Sequence, residues 1–84
     1  MKTFDVKAAQ GRALGARIEM KGCKFKHYKG GEYIVMGVDV DEATGQVRVT
    51  YWSIDRNHYW SRSLDEFAEM VEVDGKQIAR FRKK

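Results

Sequence analysis

The chain changes hydrophobic rhythm near residue 23. Before that point apolar positions follow no single period. Asp5 can cap a short helix through Lys7, Ala8, Ala9 and Gln10, but Gly11 and Gly15 then interrupt the pattern, each costing about 1 kcal/mol against alanine in a helix. An extended arm built on Thr3–Val6 and Ala16–Met20 is the alternative. From Cys23 onward the period is two. Phe25 to Tyr28 reads as a short strand. Tyr33 to Val40 alternates, with Ile34, Met36, Val38 and Val40 on one face and Tyr33, Val35, Gly37 and Asp39 on the other. Gln46 to Trp52 carries Val47, Val49 and Tyr51 on one side, Arg48, Thr50 and Trp52 on the other. His58 to Ser61 is a short third strand of this meander.

The turns between these strands have local backbone reasons. Gly30 and Gly31 can take positive φ without steric cost, as a tight hairpin requires. Asp41 to Gly45 is a polar hairpin loop ending in a left-handed glycine, and Ser53 to Asn57 is a second polar loop. Ser63-x-x-Glu66 has the form of a capping box, and Leu64, Phe67, Ala68 and Val71 follow at one-face helical spacing. Glu72–Val73, the Asp74–Gly75 turn and Gln77–Phe81 make a closing hairpin. The expected fold is mainly β: a small SH3-like antiparallel barrel or roll of about five strands. One short helix lies near 63–71, with an N-terminal helix or arm over 1–22 and the barrel over 23–84, all in a single domain.

Composition narrows the picture. At 84 residues there is material for one core only. The apolar fraction of 43% argues against global disorder. A lone cysteine, Cys23, excludes an internal disulfide and a cysteine-based structural zinc site, and it fits a reducing cytoplasm. No long apolar run suggests a signal peptide or a membrane span. The net charge of +4 is unevenly spread. Cations gather at Lys21, Lys24, Lys26 and Lys29 and at Arg80, Arg82, Lys83 and Lys84, which could attract phosphate.

The richest chemistry lies in Lys26, His27, Tyr28, Lys29, Gly30, Gly31, Glu32 and Tyr33. Together with residues downstream, this run resembles the family known as domain of unknown function 1653, found in small bacterial and phage proteins. The similarity spans roughly Lys24 to Phe81. Its opening motif is matched by Phe25, Lys26, His27, Tyr28, Lys29 and Gly30, with Tyr33 following. A strand motif is matched by Val47, Val49 and Tyr51. Trp60, Arg62, Leu64 and Phe67 match a third motif, and Val73, Asp74, Gly75, Lys76, Arg80 and Phe81 a fourth. The family usually carries proline where this chain has Ser63 and Ala79, and the first 22 residues fall outside the similarity. The resemblance implies an SH3-like barrel and brings no established activity.

His27 and His58 are the only conventional general bases, and neither is flanked by a nucleophile with an orienting group. Cys23 lies four residues before His27, which does not bring the two within hydrogen-bond reach. Asp39, Asp41 and Glu42 lack the downstream bidentate glutamate of a calcium loop. No catalytic residue, metal or cofactor is therefore expected. Tyr28, Tyr33, Tyr51, Trp52, Tyr59 and Trp60 could stack bases, although a small barrel needs at least half of them in its core. Trp52, beside Arg48 and Thr50, is the better candidate for exposure. Arg62, just ahead of the short helix, is either an anion ligand or a salt-bridge partner of Glu66 or Asp65. The leading expectation is a non-enzymatic module binding nucleic acid or a nucleotide-like anion through Lys26, His27, Tyr28, Lys29, Trp60, Arg62 and Arg80. A protein-interaction adaptor of the kind a phage could encode, for a peptide or host protein, is the alternative.

Overall fold

The computed structural model describes residues 4–84. Helix α1 (Val6–Met20) is followed by β1 (Lys24–His27), β2 (Glu32–Val40), β3 (Val47–Ser53) and β4 (His58–Ser63). Helix α2 (Leu64–Phe67), the hairpin β5 (Met70–Val73) and β6 (Lys76–Ala79), and β7 (Phe81–Lys83) complete the chain. Five strands form one antiparallel sheet in the order β4-β3-β2-β1-β7, and β5-β6 form a second sheet. The ladder is open, with β4 and β7 at its edges. No helix among the described residues is long and apolar enough to cross a membrane.

Asp5 caps α1 as expected, its carboxylate accepting from the Ala8 amide at 3.1 Å. The helix does not stop at Gly11, however, nor does an arm form over Ala16–Met20; Thr3 lies outside the described residues. The helix survives its glycines because it is held by packing. Ala9 and Ala13 are buried, and Ala16 and Met20 pack on the same core. The Arg17 side chain adds a fixed tether, donating from Nε and Nη2 to the Val38 carbonyl at 3.2 and 2.9 Å.

That carbonyl follows an irregularity in β2. Val35 pairs with Tyr51 and Gly37 with Thr50, so Met36 is an extra residue, a β-bulge. The even alternation expected over Tyr33–Val40 is therefore broken. Val35 and Val38 are buried, whereas Met36 is 44% exposed. Strand β3 keeps its strict period, burying Val47, Val49, Tyr51 and Ser53.

The turns are those the glycines suggested. Gly30 and Gly31 have φ of 102° and 87°, and Gly45 has φ of 77°. The Asp-Gly turn carries φ of 52° at Asp74 and 78° at Gly75, as a two-residue hairpin loop needs. The helix after the third strand is shorter than expected. Ser63 caps it, its hydroxyl accepting from the Glu66 amide at 3.1 Å and donating to the Glu66 carboxylate at 3.0 Å. It ends at Phe67, and Val71 lies in β5. The closing segment also divides: Lys76–Ala79 pairs with β5, while Phe81–Lys83 returns to β1 in the main sheet.

Two glycine types respond oppositely to alanine. A Cβ at Gly11 or Gly15 meets nothing within 4 Å, so Gly11→Ala and Gly15→Ala should each stabilise the fold by about 1 kcal/mol. Thermal melts should rise by about 4–8 °C per substitution. At Gly45 a Cβ would lie 2.3 Å from the Phe4 ring and φ is 77°. Gly45→Ala should lower stability by about 1–2 kcal/mol.

Candidate functional site

Residues directly opposite each other in an antiparallel pair point to the same side of the sheet. Tyr51 faces Val35 on one side and Trp60 on the other, and Val49 faces Arg62. Phe25 faces Tyr33, and His27 faces Phe81. One sheet face thus carries Phe25, Val35, Val38, Val49, Tyr51 and Phe81 as core, continued by His27, Trp60 and Arg62. Helices α1 and α2 contact only part of this face. The uncovered part is a concavity of about 200 Å³ lined by His27, Tyr33, Tyr51, Trp60, Arg62 and Phe81. A wider cleft of about 430 Å³ adjoins it, running from His27 past Lys29 and the glycine turn to Arg56.

Aromatic rings build the floor. Phe81 stacks on Phe67 at 4.1 Å and 6°, and meets Tyr51 and Tyr33 edge-on at 5.3 and 5.7 Å. Arg62 lies above it, its guanidinium 6.0 Å from the Phe81 ring centre. Its Nε donates to the Tyr51 hydroxyl at 3.5 Å, and Nη1 is 3.9 Å from a Glu66 oxygen. The bond to Tyr51, with lesser help from Glu66 and Glu69, raises the Arg62 pKa, so the group is a permanent cation. Of the two partners expected for Arg62, Glu66 is near, whereas Asp65 is bound to Arg12 of α1 at 2.9 Å.

His27 is the junction of the site. Its Nδ1 accepts from the Lys29 amide at 3.1 Å, which puts the proton of the neutral ring on Nε2. Phe81 and Tyr28 pack against it at 4.9 and 4.8 Å. Burial pushes its pKa below the usual 6.5, and the positive charges of Arg62, Arg80 and Lys29 push it further. Arg80 lies 3.6 Å from Glu69, and its Nε is buried with no hydrogen-bond partner among the described residues.

The seven residues singled out from the sequence do not all converge. His27, Trp60 and Arg62 line the concavity. Lys29 lines the adjoining cleft instead, with Nζ 5.7 Å from the Tyr28 ring. Arg80 acts on His27 through its charge. Lys26 points away, because it is one residue out of step with His27 and faces Glu32 and Arg82 on the opposite surface. Trp52 is a correction: it is half-buried against Tyr59 at 4.7 Å. The exposed rings are Trp60 and Tyr59, at 45% and 57%. Phe81, Arg56 and Arg82 gained importance only in three dimensions. Parity could have signalled Phe81 and Arg82 once β7 was known to pair with β1. No group of three His, Cys, Asp or Glu residues among the described residues could hold a metal ion.

The sequence profile of a family described as protein of unknown function (DUF1653) matches residues 23–83. The chain belongs to this family. The DUF1653 region begins as α1 ends and contains every residue of the concavity. A DUF1653 protein from Bordetella bronchiseptica, solved by crystallography, is similar in fold, with a TM-score of 0.68 at 24% identity. The similarity covers 80% of this chain and 90% of that one. No curated protein matches the chain.

The lowered pKa of His27 has a signed consequence. In the unfolded chain the imidazole takes up its proton near pH 6.5, and in the fold only at lower pH. Stability is therefore present above pH 6.5 and lost as pH falls through the folded value. The melting temperature should drop between about pH 7 and about pH 5. His27→Gln should flatten that drop relative to the unsubstituted protein, and equal slopes in the two would refute the assignment.

Proposed function

We propose that this DUF1653 protein is a non-enzymatic binding module that takes a nucleotide-like anion or nucleic acid on its concave sheet face. One observation carries the reading: Arg62 is held charged over Phe81 at the mouth of a cavity whose wall includes the half-exposed Trp60 ring. A base stacking on Trp60 would contribute about 1–3 kcal/mol. Its phosphate would meet Arg62, with Lys29 and Arg56 along the adjoining cleft. Glu66 sits 3.9 Å from Arg62, beyond hydrogen-bond length, so the guanidinium keeps donors for an incoming oxyanion.

The same surroundings favour binding over catalysis. His27 Nδ1 is already engaged by the Lys29 amide, and its ring is wedged among Tyr28, Tyr33 and Phe81. An anion would also relieve the repulsion between a protonated His27 and Arg62, Arg80 and Lys29. Binding should therefore raise the His27 pKa and strengthen as pH falls toward the range in which His27 of the unbound fold takes up its proton. We further read the helix-covered sheet, bent by the Met36 bulge, as an SH3-like roll. The free thiol of Cys23 favours a reducing, cytoplasmic setting.

Chemical-shift mapping with thymidine monophosphate and a short oligothymidylate tests the proposal. Resonances of His27, Trp60 and Arg62 should move, and affinity should fall steeply between about 50 and 200 mM salt. Trp60→Ala should weaken binding about tenfold or more. Arg62→Lys should weaken it less than Arg62→Ala, because lysine keeps the charge and loses the planar fork. Silence of these resonances with both ligands would end the idea. Salt-independent binding of a peptide at the same face would transfer the site to the adaptor class.

A further inference from the structure

The surface behind the concavity carries a second set of cations. Lys24, Lys26, Arg82 and Lys84 all project from β1 and the end of β7 on that side. Lys26 stands directly opposite Arg82, and the Lys84 amide bonds to the Lys24 carbonyl at 2.9 Å. Three of them, Lys24, Lys26 and Lys84, act on the Glu32 carboxylate, which Lys84 engages. The pKa of Glu32 is lowered mainly by that bond to Lys84, with Lys24 and Lys26 adding to it. Lys24, Lys26 and Arg82 make no ion pair among the described residues.

Like charges directly opposite each other on neighbouring strands destabilise a sheet. Cations on an edge strand can be explained as protection against edge-to-edge pairing. That accounts for Arg82 on β7. Lys26 lies on β1 between β2 and β7 and faces Glu32 across the sheet, but it is Lys84 that engages that carboxylate, and Lys26 still stands opposite Arg82. The pair also has a built surrounding. Lys26 and Arg82 line a cleft of about 230 Å³ together with the Tyr28 ring, Ile78 and Ala79 of the β5–β6 hairpin, and His27. His27 lines this cleft and the concavity alike, so both open beside that side chain at the end of β1.

We infer that the Lys26–Arg82 cleft is a second phosphate-binding subsite, and that the ligand is a single-stranded nucleic acid passing around the β1–β2 turn rather than a mononucleotide. The inference rests on the base-binding role of the concave face. One nucleotide stacks at Trp60 with its phosphate on Arg62. The neighbouring backbone phosphate lies between Lys26 and Arg82, and Tyr28 and Ile78 offer an apolar wall to the next base. A phosphate between the two cations replaces their mutual repulsion with two charge-assisted hydrogen bonds.

The test compares thymidine monophosphate with a short oligothymidylate on the full chain. The unsubstituted protein should bind the oligonucleotide more tightly than the monophosphate. Lys26→Ala/Arg82→Ala should weaken oligothymidylate binding roughly tenfold at low salt and reduce the slope of log K against log salt by about 0.7, for the one phosphate the two cations share. Monophosphate binding should stay within about twofold, because that ligand reaches only the Arg62 side. Removal of the opposed charges should leave the melting temperature unchanged or higher, which separates lost contacts from lost folding. Lys7→Ala/Lys21→Ala removes equal charge from α1 and its end and should keep the full slope. An unchanged oligonucleotide affinity and slope in the Lys26/Arg82 variant would overturn the inference. So would an equal loss of monophosphate binding, or displacement of the oligonucleotide by polyglutamate at matched charge. If the monophosphate binds and the oligonucleotide gains nothing, only the second subsite fails. If neither ligand binds, the base-binding role of the concave face fails with it.

Discussion

The stack of Phe81 on Phe67 is the contact on which the rest of the molecule turns. The rings are nearly parallel at 4.1 Å, and they join the last strand to a helix of only four residues. A helix that short has no stability of its own. It persists because Ser63 caps it and because Phe67 is gripped by Phe25, Tyr51 and Phe81. Phe81 in turn brings β7 beside β1, and supplies the face over which the Arg62 guanidinium lies. Core and candidate site share a ring, so the site inherits the rigidity of the core.

The site arises where covering stops. A five-stranded sheet has one face to bury, and two helices totalling nineteen residues contact only part of it. The aliphatic side chains Val35, Val38, Val47 and Val49 are fully covered. The amphipathic ones, Tyr33, Trp60, His27 and Arg62, occupy the open part. These side chains tolerate that boundary because each has an apolar body and a polar tip. Charge follows the same logic. Burial and three neighbouring cations disfavour the protonated form of His27, while the Tyr51 hydroxyl and nearby carboxylates further favour the charged form of Arg62.

Much of this was legible in the sequence wherever a rule is local. The glycines with positive φ, the Asp5 and Ser63 caps and the strict alternation of β3 depend on neighbours a few residues away. The failures have a common cause. Gly11 and Gly15 are local helix breakers inside a helix that tertiary packing of Ala9, Ala13, Ala16 and Met20 sustains. Strand β2 is apolar on both faces, so its pattern could not reveal that Met36 is an extra residue and that the buried parity changes there. Val71 kept helical spacing, but the Asp74–Gly75 hairpin drew it into β5. In each case a competing long-range interaction outweighed a correct local preference.

The candidate site divides along the same line. The sequence by itself determined a mainly β chain with one core and a cluster of cations and rings around residues 26–33. It also determined the motifs that carry the DUF1653 resemblance. Strand parity separates Lys26 from His27 within the run, but which neighbours each one meets depends on pairing with β7, more than fifty residues away in the chain. Only the tertiary structure brought Trp60, Arg62 and Phe81 to the His27 side and Arg82 to the Lys26 side. The physical reason is that a strand's own alternation defines two faces, whereas chemistry on either face requires side chains contributed by its partners.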